Sequence, residues 1–300
     1  MINNYNFEQK FKLANITSMI LVLLSILMIL FKGLNFGIDF KGGTLMELRF
    51  DSNNIQISDV RSSFNQLDLG DINVKEFGKK GDFLVKFERK SFDDKISIKT
   101  IKEKVSNELQ GNVDFRRVEN VGPKVSKELL ESGLLAISLA LAAMLFYIWV
   151  RFEWQFSIGS IIAIFHDVLI TIGLFSLLSL EINLSIVAAV LTIVGYSMND
   201  TVVIYDRIRE NLIKYSSSKI GEISNKSINE TLSRTIITSS TTLLALISIF
   251  ILGGEILKGF SLAMIIGVII GTYSSIFVAS PILKYFNVSF KTISKEKENN

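Results

Sequence analysis

A carboxylate in the middle of an apolar segment is the residue of this chain best placed to do chemistry. Asp200 is the only acidic or basic residue between Leu184 and Tyr205, a stretch apolar enough to cross a membrane. Placing a carboxylate in hydrocarbon costs roughly 2.5–3.5 kcal/mol on insertion scales, so such residues face a bundle interior and usually have a function. Arg234, near the start of the next apolar segment, could supply the counter-charge, and Thr238 lies one turn further on the same face. An acid and a base in one membrane bundle suggest a proton or ion relay.

Each of these residues also has a purely structural interpretation. Asp200 could form a permanent ion pair, or stay neutral with hydrogen bonds from a neighbour such as Ser197. Arg234 could extend its side chain to the membrane surface, and Thr238 could simply join two helices. We favour the functional interpretation because ionisable residues inside membranes mark transport pathways.

His166 and Asp167, in the third apolar segment, are candidates for an accessory role in such a relay. Adjacent helical residues point about 100° apart, so we expect the two side chains to face different neighbours. Histidine is the natural proton shuttle near neutral pH. A polar packing contact explains the pair equally well.

The composition indicates a membrane protein. Hydrophobic residues make up 49% of the 300 positions, and the mean hydropathy is +0.40. Six windows are long and apolar enough to cross the bilayer, at about 13–31, 130–150, 156–179, 184–205, 234–252 and 259–283.

Several classes of site are excluded or disfavoured by residue content. The chain has no cysteine and one histidine, which excludes disulfides and cysteine-ligated metals and argues against zinc. No nucleophile–histidine pair or phosphate-binding lysine loop is present, and no basic patch with interleaved aromatics suggests nucleic acid. We therefore expect neither an enzyme nor a bound cofactor, only a coupling ion.

The distribution of lysine and arginine sets the orientation. These residues are abundant at both termini and between the fourth and fifth windows, and nearly absent from the connections near Glu181 and Glu255. Because positively charged loops stay in the cytoplasm, both termini are predicted to be cytoplasmic. The first window lacks a cleavage site of small residues, so we interpret it as an uncleaved anchor. The predicted layout is a cytoplasmic N-terminus (1–12), a first transmembrane helix (13–32), a periplasmic α+β domain (33–129), a five-helix membrane bundle (130–283, with a cytoplasmic loop at 206–233) and a cytoplasmic tail (284–300).

The polar stretch between the first two windows alternates strand-like and helix-like segments. Strands are predicted at Thr44–Phe50, Ile72–Phe77, Asp82–Glu88 and Val113–Val118, and helices at Ser58–Leu67, capped by Ser58, and Ile98–Leu109. The order β-α-β-β-α-β predicts a ferredoxin-like domain between helices 1 and 2 of a polytopic α-helical membrane protein.

Three smaller features complete the prediction. The glycines of 37–43 precede a strand, so a turn leaving the membrane is favoured over a phosphate cradle. Gly267 and Gly271 have the spacing of a close helix–helix contact, and Asn199 is expected to hydrogen-bond between helices. Asp206, Arg207 and Arg209 are interpreted as a charge cluster at the membrane surface, and the tail after Lys291 as disordered.

Four segments resemble one known family. The longest is GYSMNDTVVIYDRIREN at 195–211; the others are GIDFKGG at 37–43, HDV at 166–168 and VGPKVSKEL at 121–129. Together they are similar to the SecF subunits of the bacterial SecDF protein-export complex, within the resistance–nodulation–division transporter superfamily. The family more often has glycine where this chain has Ser126, which affects only the local backbone.

The resemblance implies a multi-pass protein of the bacterial inner membrane that uses the proton-motive force in late steps of preprotein export. It implies SecD as partner, action beside the SecY–SecE–SecG channel, YajC as a further partner, and contact with the translocating preprotein. It places Asp200, Arg234 and Thr238 in the proton pathway, with a matching acid from SecD. The coupling ion is H+, or Na+ as in some relatives.

Two other functions remain open from the sequence. One is half of a small-molecule or lipid exporter of the same superfamily, although such exporters usually carry both bundles in one chain. The other is a non-transporting scaffold whose outer domain binds translocating chains, with a structural ion pair in the membrane.

Overall fold

The computed structural model describes residues 5–51, 55–67, 69–87, 98–109 and 113–293. The chain forms two compact units. The first comprises Met1–Asn35, Leu135–Glu181 and Ser185–Asn300, and the second comprises Phe36–Leu134 and Ile182–Leu184.

Helices make up most of the described chain. They are α1 (Phe11–Lys32), α2 (Ile38–Lys41), α3 (Ile57–Asn65), α4 (Ile98–Glu108), α5 (Pro123–Arg151), α6 (Trp154–Leu177), α7 (Leu184–Lys214), α8 (Ile220–Leu252), α9 (Gly254–Ser274) and α10 (Ser280–Tyr285). The strands are β1 (Asn35–Phe36), β2 (Gly43–Phe50), β3 (Ile72–Glu76), β4 (Asp82–Phe87), β5 (Val113–Val121) and β6 (Glu181–Ile182). A 3-10 turn, Glu8–Lys10, leads into α1, and a π-helical turn, Ser275–Ala279, joins α9 to α10.

Within the described residues, six helical segments are long and apolar enough to cross a membrane, as predicted, and the sixth runs from Leu257 to Tyr285 through the π-helical turn. Several are longer than the apolar windows that predicted them. The 31 residues of α7 span about 46 Å at 1.5 Å per residue, more than the ~30 Å of hydrocarbon. The polar last turns of α7, with Arg207 and Arg209, therefore extend beyond the apolar layer.

The membrane helices divide into an inner and an outer set. In α6, α7 and the segment Leu257–Tyr285, 50–56% of the most apolar window is buried within the chain. In the spans containing α1, α5 and α8 the share is only 11–17%. The outer helices, α5 and α8 among them, thus leave most of their apolar surface uncovered.

Glycines allow two of the inner contacts. A Cβ added at Gly267 of α9 would lie 2.3 Å from Cγ1 of Ile193, and one at Gly271 would lie 3.0 Å from Cβ of Ser197. The predicted close contact at these two glycines is therefore confirmed, and its partner is α7. Gly173 of α6 similarly accommodates Ser25 of α1, whose Cβ would lie 2.3 Å from an added methyl.

The second unit is built on a four-stranded antiparallel sheet with the order β3-β4-β2-β5. Alternate residues of β4 (Phe83, Val85 and Phe87) face the core, as the period of a strand requires. They join apolar residues at helical spacing from α3 and α4 (Val60, Phe64, Ile101 and Val105).

Two local predictions in this unit are wrong. Helix α3 begins one residue earlier than predicted and is capped by Gln56 and Asp59, not by Ser58, because these two side chains form a reciprocal capping box. The glycine segment 37–43 contains a single helical turn, α2, before β2 begins. Glu88, Gly111 and the tail from 294 lie outside the described residues.

Candidate functional site

Asp200 lies on α7 and is 3% exposed. Its Oδ2 atom is buried and has no hydrogen-bond partner. The hydrogen bond from Ser197 on which the structural interpretation of Asp200 would depend is absent, because the Ser197 hydroxyl donates to Oδ2 of Asp167 at 2.5 Å instead. Thr201 also bonds elsewhere, donating to the carbonyl of Ser197 at 3.2 Å. The carboxylate therefore keeps an unused acceptor in a buried place, which is costly unless a proton, an ion or a partner group reaches it.

The structure places Arg234 near Asp200 but not in contact with it. Among the described side chains, no ion pair within 4.0 Å joins the two groups, although the guanidinium is close enough to act on the carboxylate electrostatically. Arg234 is exposed on α8. Thr238 donates to the carbonyls of Arg234 and Thr235, both at 3.0 Å, and so bonds within its own helix.

His166 and Asp167 form the centre of a second buried polar group, which we call the Asp167 cluster (His166, Asp167, Ser197 and Ser274). Asp167 Oδ1 lies 2.8 Å from Nδ1 of His166, and Oδ2 accepts from Ser197 at 2.5 Å and from Ser274 at 2.7 Å. The two adjacent side chains contact each other, and each also has partners of its own, as expected. His166 Nε2 is buried without a partner, and its ring stacks on Tyr273 at 6.2 Å between centroids.

Tyr205 is a site residue that the sequence analysis missed. It is fully buried, five positions after Asp200, and its hydroxyl donates to the carbonyl of Ala279 in the π-helical turn at 3.0 Å. Its ring meets Phe156 at 5.0 Å in an edge-to-face arrangement. Two signals were present in the sequence: Tyr205 lies within the 195–211 segment, and Gly159 lies inside an apolar helix, where an added Cβ would be 2.3 Å from the Tyr205 hydroxyl.

The predicted charge cluster at the end of α7 is confirmed. Asp206 pairs with Arg151 at 2.8 Å, and Arg209 pairs with Glu153 at 3.1 Å. Arg207 contacts two carboxylates, those of Glu210 and Glu230. Each of these charges has an ion-pair partner, in contrast to Asp200, although Oε2 of Glu153 is also buried without a hydrogen-bond partner.

Two further points concern possible metal ligands and the predicted helix–helix hydrogen bond of Asn199. In the part of the chain that the structure describes, no three acidic, histidine or cysteine side chains are grouped as metal ligands. Asn199 is exposed, and no hydrogen bond joins its side chain to another described residue.

Comparison with known proteins identifies the family. Residues 100–289 match the model of the C-terminal part of the protein-export membrane proteins SecD and SecF, and residues 28–53 match the SecD/SecF GG motif. The protein translocase subunit SecF of Rickettsia bellii is 45% identical over 284 residues, covering 94% of this chain and 93% of the relative. SecF of Cereibacter sphaeroides is 45% identical over 264 residues, covering 85% and 81%. These names describe a transport subunit rather than an enzyme, as the sequence predicts.

Solved structures agree in fold. The crystal structure of SecDF from Thermus thermophilus, a translocon-associated membrane protein, superposes with a TM-score of 0.84 at 35% identity, over 95% of this chain. SecDF in a super-membrane-facing form gives a TM-score of 0.70 at 35% identity, over 99% of this chain. This chain spans about two fifths of those solved chains (39% and 40%). It is a multi-pass membrane protein that belongs to the SecF family of protein translocase subunits.

Proposed function

We propose that this chain is a subunit of an export accessory complex and uses the proton-motive force to promote late steps of preprotein export. Membership of the SecF family supports the export role. The observation that carries the coupling role is the buried carboxylate of Asp200, whose Oδ2 has no hydrogen-bond partner. A site that exchanges protons needs such an acceptor, and Asp200, unlike the acids at the end of α7, also lacks an ion pair within 4.0 Å among the described side chains.

In this proposal the protein lies in the bacterial inner membrane with both termini in the cytoplasm. Residues 33–129 form a periplasmic ferredoxin-like domain, and 130–283 form the membrane bundle, flanked by cytoplasmic 1–12 and 284–300. The antiparallel order β3-β4-β2-β5, with one helix after β2 and one after β4, supports the ferredoxin-like assignment. The charge cluster around Arg151, Arg207 and Arg209 supports the cytoplasmic placement of the end of α7.

In this proposal SecD is the partner that completes the site around Asp200 and Arg234. The solved SecDF chains are more than twice as long as this one, and α5 and α8 leave most of their apolar surface uncovered. Arg234 and Asn199 are exposed polar groups on membrane helices, where lipid contact is unfavourable. A second bundle covering them would supply the matching acid for Arg234. The SecY–SecE–SecG channel, YajC and the preprotein are the further partners.

The proposed cycle depends on the charge of Asp200. When the carboxylate is ionised, Arg234 attracts it through space; when it is protonated, that attraction is lost and α7 and α8 are free to shift. Thr238 keeps the backbone near Arg234 in place through its two carbonyl contacts. One proton crossing a potential of 100 mV releases about 2.3 kcal/mol, enough to bias a small helix movement at each step.

The test compares Asp200→Asn with Asp206→Asn in the assembled complex. Both changes remove one carboxylate from α7, but Asp206 is a half-exposed member of the surface ion pair with Arg151. Export of a model preprotein into inverted vesicles is measured with and without the membrane potential. We expect Asp200→Asn to abolish the stimulation by the potential and Asp206→Asn to retain it. Full stimulation in Asp200→Asn would reject the proposal, and repeating the assay without sodium identifies the ion.

A further inference from the structure

The Asp167 cluster joins three membrane helices at one carboxylate. Asp167 of α6 accepts from Ser197 of α7 and from Ser274 of α9, and its other oxygen contacts His166 of its own helix. Asp167 and Ser274 are fully buried, and Ser197 is 1% exposed. One carboxylate thus connects α6 to two further helices, and both hydroxyls end on the same oxygen, Oδ2.

The cluster lies where it can fix the position of Asp200. Ser197 precedes Asp200 by three residues, so the two lie within one turn of α7. On the same turn, Gly271 of α9 approaches Ser197 so closely that an added Cβ would meet it at 3.0 Å. α7 is therefore held at this level by the hydroxyl contact of Ser197 with Asp167 and by a close backbone approach, while the carboxylate of Asp200 itself is held by no hydrogen bond at Oδ2.

The two buried acids thus have opposite surroundings. Asp167 has three hydrogen-bonding partners, whereas Oδ2 of Asp200 has none and the charge of Arg234 acts on that carboxylate through space. Both hydroxyls that bond Asp167 come from other helices, so loss of its carboxylate would release α7 and α9 from α6.

We propose that Asp167 is a positioning residue that fixes α7 and α9 against α6 and thereby sets the place of Asp200, the residue of this chain that exchanges the proton in the proposed function. This deepens the proposed function and rests on it. The groups facing Asp167 are His166 from α6, Ser197 from α7 and Ser274 from α9, and Tyr273 lies behind His166. From α8, Arg234 acts on Asp200.

Infrared difference spectra show which of the two acids, Asp167 or Asp200, takes up a proton. The spectra are recorded on the assembled complex in lipid vesicles between about pH 5 and about pH 8. A carboxyl group that titrates gives a protonated C=O band that appears on acidification. We expect this band to vanish in Asp200→Asn and to persist in Asp167→Asn, although export falls in both. Loss of the band in Asp167→Asn, with Asp200→Asn unchanged, would overturn the inference.

Serine variants test the positioning role without changing an acid. Ser274 and Ser261 are both fully buried serines of α9, but Ser261 donates only to carbonyls of its own helix. Potential-driven export should fall about fivefold in Ser274→Ala, the change expected from one hydrogen bond, and stay unchanged in Ser261→Ala. Equal effects would refute the positioning role of Asp167 while leaving the role of Asp200 intact.

Discussion

The contact between α7 and α9 makes a sharp prediction for Gly267. An added Cβ there would lie 2.3 Å from Cγ1, 2.4 Å from Cδ1 and 2.9 Å from Cγ2 of Ile193. Ile193 is branched at Cβ and 1% exposed, so it cannot swing away into open space. Gly259 lies on the same helix, but an added Cβ there would meet only Cδ1 of Ile186, at an ordinary 3.5 Å.

Two opposing effects on the free energy of unfolding distinguish alanine at Gly267 from alanine at Gly259. Replacing glycine by alanine inside a helix gains about 1 kcal/mol in helix propensity, and this gain applies to both positions. Overpacking a tight contact costs about 1–3 kcal/mol and applies only to Gly267. Gly259→Ala should therefore be neutral or stabilising. Gly267→Ala should be about 1–3 kcal/mol less stable than Gly259→Ala.

The assay is reversible unfolding of the purified protein in mixed micelles, with the two variants measured side by side. The double variant Gly267→Ala with Ile193→Ala provides an internal check, since removing the Ile193 side chain removes the clash. Ile193→Ala should then lower the free energy of unfolding by less in the Gly267→Ala background than in the native chain. Equal stability of Gly267→Ala and Gly259→Ala would refute the close approach of α9 to α7.

Contacts elsewhere in both units give three more expected outcomes. Hydrogen bonds from Arg49 hold the pKa of Asp82 below its usual range. The stability from this pair is therefore present above the unfolded value of about 3.9 and is lost as the pH falls through the lower folded pKa. Hydrogen exchange in the sheet of the full chain should accelerate over that acid range, and Asp82→Asn should lose this part of the pH dependence; parallel profiles would contradict the pairing. Tyr205→Phe should lower the free energy of unfolding by about 1 kcal/mol. The single variant Gly159→Ala should lower it by more than that. Because an added Cβ at Gly159 would lie 2.3 Å from the tyrosine hydroxyl, thermal unfolding of the double variant should show less than additive loss, and strict additivity would argue against the contact. Gly43→Ala should destabilise the second unit, since the residue has a φ of +137° and an added Cβ would lie 2.7 Å from a strand carbonyl oxygen; limited proteolysis indistinguishable from the native chain would count against it.

Local patterns in the sequence were sufficient where the controlling interaction is local. Windows of apolar residues predicted six membrane helices, because hydrocarbon requires each spanning segment to satisfy its own backbone. The spacing of Ile101 and Val105 predicted α4, and alternation predicted β4, because one buried face imposes its period on the sequence.

The partners of the site residues could not be predicted in the same way. Ser197 lies one turn from Asp200, so spacing along the helix favoured a contact between them. The rotation of α7 relative to α6, however, points the Ser197 hydroxyl at Asp167, thirty residues away in the sequence, and the two form a hydrogen bond. Rotation of α8 likewise leaves Arg234 near Asp200 but unbonded. Helix rotation depends on packing over the whole bundle, and no single segment encodes it.

The π-helical turn at Ser275–Ala279 has a consequence for the phase of the chain that follows it. Each residue advances an α-helix by about 100°, and a π turn accommodates one residue more than an α turn. If the same residues continued as a regular α-helix, the extra residue would turn α10 by roughly a quarter-turn relative to α9. Leu283, which is fully buried, would then be carried off the inner face. The wider turn thus absorbs one extra residue and keeps the inner faces of the two halves of this span in phase.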